Sequence, residues 1–152
     1  MTAFRWGIFG TGAISFKFVA GLAAAKAAKA SFIASRSLDR ARSFADAMGI
    51  ERAFGSYDEA AAAGGVDAIY VATPPAMHAE HALAALRAGI PVLVEKPFAS
   101  TAVDAARIAE AARATSLFAM EAMWTRFLPA ASALRRDMAA TVGQPRIVAG
   151  NF

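Results

Sequence analysis

The sequence contains no cysteine among its 152 residues and only two histidines, His78 and His81. Disulfides and thiolate metal sites are thereby excluded, and two imidazoles without thiol or carboxylate partners make a poor ligand set, so no metal is expected. Also missing is any apolar run able to cross a membrane. The mean hydropathy is positive, at +0.41, but alanine supplies most of it, and charges, glycines or prolines break each run before about 18 residues. The opening "MTAFRWGIFG" carries neither the basic nor the apolar stretch of a secretory leader, so a cytoplasmic location with no membrane partner is expected. Sixteen Lys and Arg against twelve Asp and Glu leave a net charge of +4. The basic residues are scattered, with no run longer than Arg135-Arg136, which argues against nucleic acid and suits a small anionic ligand.

What the sequence does have is alternation. Short β-rich runs and alanine-rich helical stretches follow one another, the pattern of an α/β protein with a doubly wound, mainly parallel sheet. Strands are expected over 4–9, 30–35, 68–73, 91–95 and 116–120, with a short one near Ala53. Helices are expected over 12–25, 39–48, 57–63, 76–88 and 101–114, with a final one over 124–140. Ser56 and Glu59 have capping-box spacing, Thr101 can cap a helix that holds Asp104 in its first turn, and Gly49 and Gly89 stand where helices should stop. After a turn at 143–145, "RIVAGNF" reads as a strand with nothing behind it. The expected organisation is a nucleotide-binding domain over 1–122, then a connecting helix and first strand over 123–152 leading to a second domain beyond the chain.

The stretch "WGIFGTGAIS" places Gly10 and Gly12 at a strand-to-helix turn, with Ser15 where the dinucleotide fingerprint prefers Gly or Ala. Gly10 permits a tight turn, Gly12 lets a diphosphate approach the backbone, and a small residue at 15 lets helix and strand pack closely. Free amides at the helix start, through Thr11, Ala13 and Ile14, would then hold the phosphates. The bland reading is a structural glycine turn. After the second strand, where an NAD site usually carries an acidic residue, the chain has Ser35-Arg36-Ser37, with Arg40 one helical turn on. A carboxylate would repel a 2′-phosphate and a guanidinium grips it, so NADP(H) is expected over NAD(H). Alternatively, Arg36 is a solvated surface arginine and Ser37 a helix cap.

The apolar run "VDAIYVAT" ends in Thr73-Pro74-Pro75, with His78 following. Ligands in open α/β sheets bind beyond the carboxyl ends of strands, so Thr73, Pro74 and His78 are expected to line the cleft, and His81 to be structural. "VLVEKPF" ends a further strand on Glu95, Lys96 and Pro97. A lysine at that strand end could take a substrate hydroxyl proton while hydride passes to a cofactor; equally, Glu95 and Lys96 could be a surface ion pair.

Taken in order and spacing, "GIFGTGAIS", "ASRS", "VATPPAMH", "AGIPVLVEKP" and "MEAMWTRFLPA" resemble the nucleotide-binding half of the glucose-fructose oxidoreductase/inositol dehydrogenase (Gfo/Idh/MocA) family. "FRWGI", "ASRSLDRA" and "MEAMWTRFLPA" are similar to its branch of dimeric dihydrodiol dehydrogenases and NADP-dependent D-xylose dehydrogenases. The resemblance implies a Rossmann fold and hydride transfer between NADP(H) and a sugar or trans-dihydrodiol, in a homo-oligomeric enzyme. It further implies Lys96 as the catalytic residue, Glu95 toward the nicotinamide, Pro97 setting the loop through a cis peptide, Arg36 and Arg40 at the 2′-phosphate, and Trp124 and Arg126 near the nicotinamide end. Without it, Trp124 reads as helix packing. Two departures stand out: Pro75 replaces an asparagine common in the family, and the second domain that would supply the substrate pocket is missing from the chain. The competing class is a non-catalytic NADP-binding sensor or regulatory module.

Overall fold

The computed structural model describes residues 3–25, 27–141, 143–144 and 146–147. These form two compact units, Met1–Ala122 and Met123–Phe152. The first is an open, wholly parallel six-stranded sheet. Its strands are β1 (Phe4–Phe9), β2 (Ala28–Ala34), β3 (Arg52–Phe54), β4 (Ala68–Val71), β5 (Val92–Val94) and β6 (Ala119–Glu121), in the order β3-β2-β1-β4-β5-β6. That order reverses direction between β1 and β4, so the connections leave opposite sides there and open a crevice at the carboxyl ends.

Side chains alternate across the strands and build two cores. Phe9, Phe32, Ile69, Val71, Val92 and Val94 face α3 (Tyr57–Ala63), α4 (His78–Arg87) and α5 (Ala102–Thr115). Ile8, Ile33 and Tyr70 point the other way, toward α1 (Ala13–Ala25) and α2 (Leu38–Met48), where Val19, Ala41 and Phe44 meet them. Sheets buried on both faces carry continuous apolar strands, which is why β1, β2 and β4 are so legible. Gly7 is bare for a packing reason: the Phe32 ring lies 2.3 Å from where its Cβ would be.

Several expected boundaries shift, each for a local reason. Ser116 is not the start of a strand but the left-handed cap of α5, at φ 55°, donating its N–H to Ala112 and Arg113 carbonyls. The strand begins three residues later. Ala72 and Thr73 leave the sheet after Val71, and the helix expected from 76 opens with a 3-10 turn, Pro75–Met77, before α4. In the second unit the single expected helix is two pieces, a 3-10 turn over Trp124–Phe127 and α6 (Pro129–Thr141). Between them Leu128 is extended at φ −62°, ψ 140°, because a residue before proline is pushed out of the helical region. Most of the strand expected in "RIVAGNF" lies outside the described residues.

The capping residues perform as their chemistry dictates. Ser37, Ser56 and Thr101 each accept an N–H from the third residue of the following helix, and Gly49 closes α2 at φ 66°.

Candidate functional site

A cleft of about 610 Å³ opens beyond the carboxyl ends of β1, β2 and β4. Its floor is the Gly10–Gly12 turn. Gly10 adopts φ 103°, and a Cβ there would lie 2.5 Å from the Ala72 carbonyl oxygen, so the turn runs hard against the end of β4 and admits only glycine. Its N–H donates to Ala34 at 2.9 Å, while the buried Ser15 hydroxyl donates to the Gly10 carbonyl at 2.7 Å. Ser15 thus binds the start of α1 to the end of β1 where the fingerprint would use mere smallness. Gly12 differs: it faces the cleft, and a Cβ on it would meet nothing within 4 Å. Ala13 and Ile14 stand exposed in the first turn of α1, whose leading N–H groups have no partner inside the helix.

One wall comes from the end of β2. Ser35 is buried, and its hydroxyl accepts from Ser37 N–H at 3.4 Å; Ser37 in turn caps α2 by accepting from Arg40 N–H at 3.4 Å. Arg36 and Arg40 both line the cleft, and among the described residues neither is in an ion pair. The cleft lining here holds two guanidiniums, two hydroxyls and no carboxylate, a set that suits an anion, while Asp39 stands with Arg40 in the adjoining recess. A second recess of about 400 Å³ shares Thr11 and Arg40 with the cleft and is floored by Phe16 and Phe44, whose ring centroids are 4.2 Å apart.

The other wall is Thr73 and Pro74, with Tyr57, Met77 and His81. The histidines exchange the places expected of them. His81 faces the cleft, with its Nδ1 2.9 Å from the Thr73 hydroxyl. His78 is 1% exposed and lies off it, Nε2 2.8 Å from the Thr73 carbonyl oxygen and Nδ1 2.8 Å from that of Pro97. The 3-10 turn Pro75–Met77 comes before α4, which begins at His78 itself. Burial holds the His81 imidazole below its ordinary pKa, helped by His78 and Arg36 and opposed by Glu80 and Asp58; the ring is therefore neutral at pH 7. Burial raises the Tyr57 phenol, against the pull of Arg36. Neither Tyr57 nor His81 stood out in the sequence as a cleft residue. Their only signal is the helical spacing that sets His81 three residues, nearly one turn, from His78.

Lys96 stands at the end of the neighbouring strand, β5, outside the lining of this cleft, and is exposed. It does not pair with Glu95. The Glu95 carboxylate accepts the Tyr70 hydroxyl at Oε1, 2.5 Å, and the Lys96 backbone N–H at Oε2, 3.0 Å, so both oxygens are engaged, and among the described residues the Lys96 side chain is in no ion pair. Burial and then Glu95 push the Tyr70 phenol far above its ordinary pKa, keeping it a donor. The Lys96-Pro97 peptide is cis, and Phe98 N–H donates to Glu121 Oε1 at 2.8 Å. Tyr70 and Glu121 are supports that sequence reading did not foresee, since nothing local links them to positions 95–98. Trp124 and Arg126 belong to the second unit: Trp124 is 64% exposed rather than packed, and the Arg126 carbonyl accepts from the Arg135 guanidinium. No group of three or more metal-ligating side chains converges among the described residues.

The family model described as an oxidoreductase family with an NAD-binding Rossmann fold, GFO_IDH_MocA, matches residues 4–122. A trans-1,2-dihydrobenzene-1,2-diol dehydrogenase of Sus scrofa is 40% identical over 99% of this chain and 46% of its own length. The chain spans about half the length of the curated relatives it matches. Among solved structures, a 3-ketoreductase from Actinomadura kijaniata in complex with TDP-benzene and NADP is 32% identical, covering 93% of this chain and 43% of that one, at TM-score 0.82. The WlbA dehydrogenase of Bordetella pertussis, in complex with NADH and UDP-GlcNAcA, shares the fold at 24% identity and TM-score 0.84, over 91% of this chain and 42% of that one.

Proposed function

The chain belongs to the Gfo/Idh/MocA oxidoreductase family, and from that premise we propose that it is the nucleotide-binding half of a dehydrogenase that uses NADP(H) in preference to NAD(H). Residues 1–122 form the binding domain, and 123–152 lead toward the part that completes the substrate site. The substrate is a sugar or trans-dihydrodiol alcohol, or the matching carbonyl, a class suggested by the dihydrodiol dehydrogenase that the chain resembles along its whole length.

The single observation that carries the cofactor choice is the Arg36-Arg40 wall, free of carboxylates, beside a glycine turn whose second glycine leaves open space above it. A phosphorylated dinucleotide fits both features. Thr11, Gly12, Ala13 and Ile14 would hold its diphosphate through backbone N–H groups, Ser35, Arg36, Ser37 and Arg40 its 2′-phosphate, and Thr73, Pro74 and His81 the adjoining length. When bound, the nicotinamide supplies the hydride acceptor or donor. Lys96 supplies the proton chemistry: as an alcohol is oxidised its Nζ, in the neutral amine form, takes the hydroxyl proton and becomes an ammonium, and in the reverse direction the ammonium returns it to the carbonyl oxygen. Because Glu95 is already engaged by Tyr70 and a backbone N–H, the Lys96 amine is not tied up in an ion pair.

The test is titration of the chain with NADPH and NADH side by side, followed by energy transfer from tryptophan. Charge-assisted bonds to the extra phosphate should favour NADPH by about ten- to a hundredfold, and Arg36→Asp should remove most of that margin while changing NADH affinity little. Equal loss for both nucleotides would reject the assignment of Arg36.

A further inference from the structure

We infer that His78 is a positioning residue: its buried imidazole locks the Lys96-Pro97 turn onto the end of β4, and so decides where the Lys96 amine stands relative to the cleft. The inference rests on the reading above, in which the cleft takes a nicotinamide dinucleotide and Lys96, beside but outside the cleft's lining, supplies the proton chemistry.

The geometry is a bridge between two loops. One ring nitrogen lies 2.8 Å from the Thr73 carbonyl oxygen, and the other lies 2.8 Å from the carbonyl oxygen of Pro97, the residue directly after Lys96. Carbonyls only accept, so a neutral ring donates to one of the two through its single N–H and an imidazolium to both, and at 1% exposure no water competes for it. The remaining ties of the turn hold its flanks: Glu95 through its N–H to the Val71 carbonyl at 2.8 Å, through Tyr70 and through the Lys96 N–H, and Phe98 through Glu121. Thr73 has a separate tie, from its hydroxyl to His81. Removing the His78 bridge therefore leaves the cleft wall anchored by His81 and both flanks of the turn held, and loosens the turn at Pro97 alone.

The chain has four lysines, so amine footprinting with an acetylating reagent, read by peptide mass spectrometry, reports Lys96 directly, with Lys17 and Lys29 as references. At NADPH ten times its Kd, mass action leaves about one-eleventh of the wild-type chain free, and Lys96 labelling should slow about tenfold. In His78→Phe, at ten times that variant's own Kd, the affinity should stay close to wild type while protection falls below about twofold. His78→Gln, which keeps one donor and serves where the phenylalanine does not fold, should give intermediate protection. Full protection of Lys96 in either folded variant overturns the inference. No protection in the wild type would instead bring down the placement of Lys96 near the cofactor, and the His78 role with it.

Discussion

Replacing Gly10 by alanine and, separately, Gly12 by alanine should separate fold from binding within one three-residue turn. At Gly10 the new Cβ would stand 2.5 Å from the Ala72 carbonyl oxygen, 2.9 Å from its carbon and 3.1 Å from Thr73 N. All three are backbone atoms, so no side chain can swing aside. The backbone there is also at φ 103°, where an L side chain is strained. Strain of about 1–3 kcal/mol and a forced contact of about 1–3 kcal/mol together predict a loss of about 2–6 kcal/mol. With an m-value near 2 kcal/mol/M, the urea midpoint of Gly10→Ala should fall by about 1–3 M. Gly12 has neither problem: its φ is not left-handed and a Cβ would meet nothing within 4 Å. Gly12→Ala should therefore unfold within about 1 kcal/mol of wild type, yet lose about tenfold or more in NADPH affinity, because the methyl group occupies the approach of the diphosphate. Equilibrium unfolding and nucleotide titration on both variants check the pair. A Gly10→Ala midpoint within about 0.5 M of wild type, or wild-type NADPH binding by Gly12→Ala, would refute the division of labour.

Lys96→Met should keep NADPH affinity while alcohol oxidation by a protein carrying the chain falls by about 10²–10⁴-fold; the reverse outcome would move the proton chemistry elsewhere. Tyr70 gives a pH prediction. Its phenol is raised above the ordinary value of 10.0 by burial and then by Glu95, so the unfolded chain ionises first as pH climbs. The stability it contributes is complete below pH 10 and should decline by about 1.4 kcal/mol per pH unit above it. In Tyr70→Phe that decline should shrink to the part due to Tyr57, whose phenol is also raised. Thermal melts between about pH 9 and 11 decide, and an unchanged alkaline slope in the variant would show that Tyr70 does not carry it.

The alternating layers were legible because buried parallel strands are written as unbroken apolar runs, and helix ends announce themselves through Ser37, Ser56, Thr101 and Gly49. The glycine turn and the Arg36-Arg40 pair were legible for a related reason: a site built at strand ends uses residues next to one another in the chain. These are local determinants, and the sequence alone brought them together as candidates at the strand ends. What it could not settle was pairing across the sheet. That Glu95 turns to Tyr70 rather than to Lys96, that His78 reaches the Pro97 carbonyl, and that Phe32 demands a bare Gly7 all depend on segments 19–25 residues apart in sequence lying side by side. Charge beside charge along the chain suggested an ion pair. The fold decided otherwise, because a buried phenol held 2.5 Å from a carboxylate keeps its bond where a solvated ammonium does not.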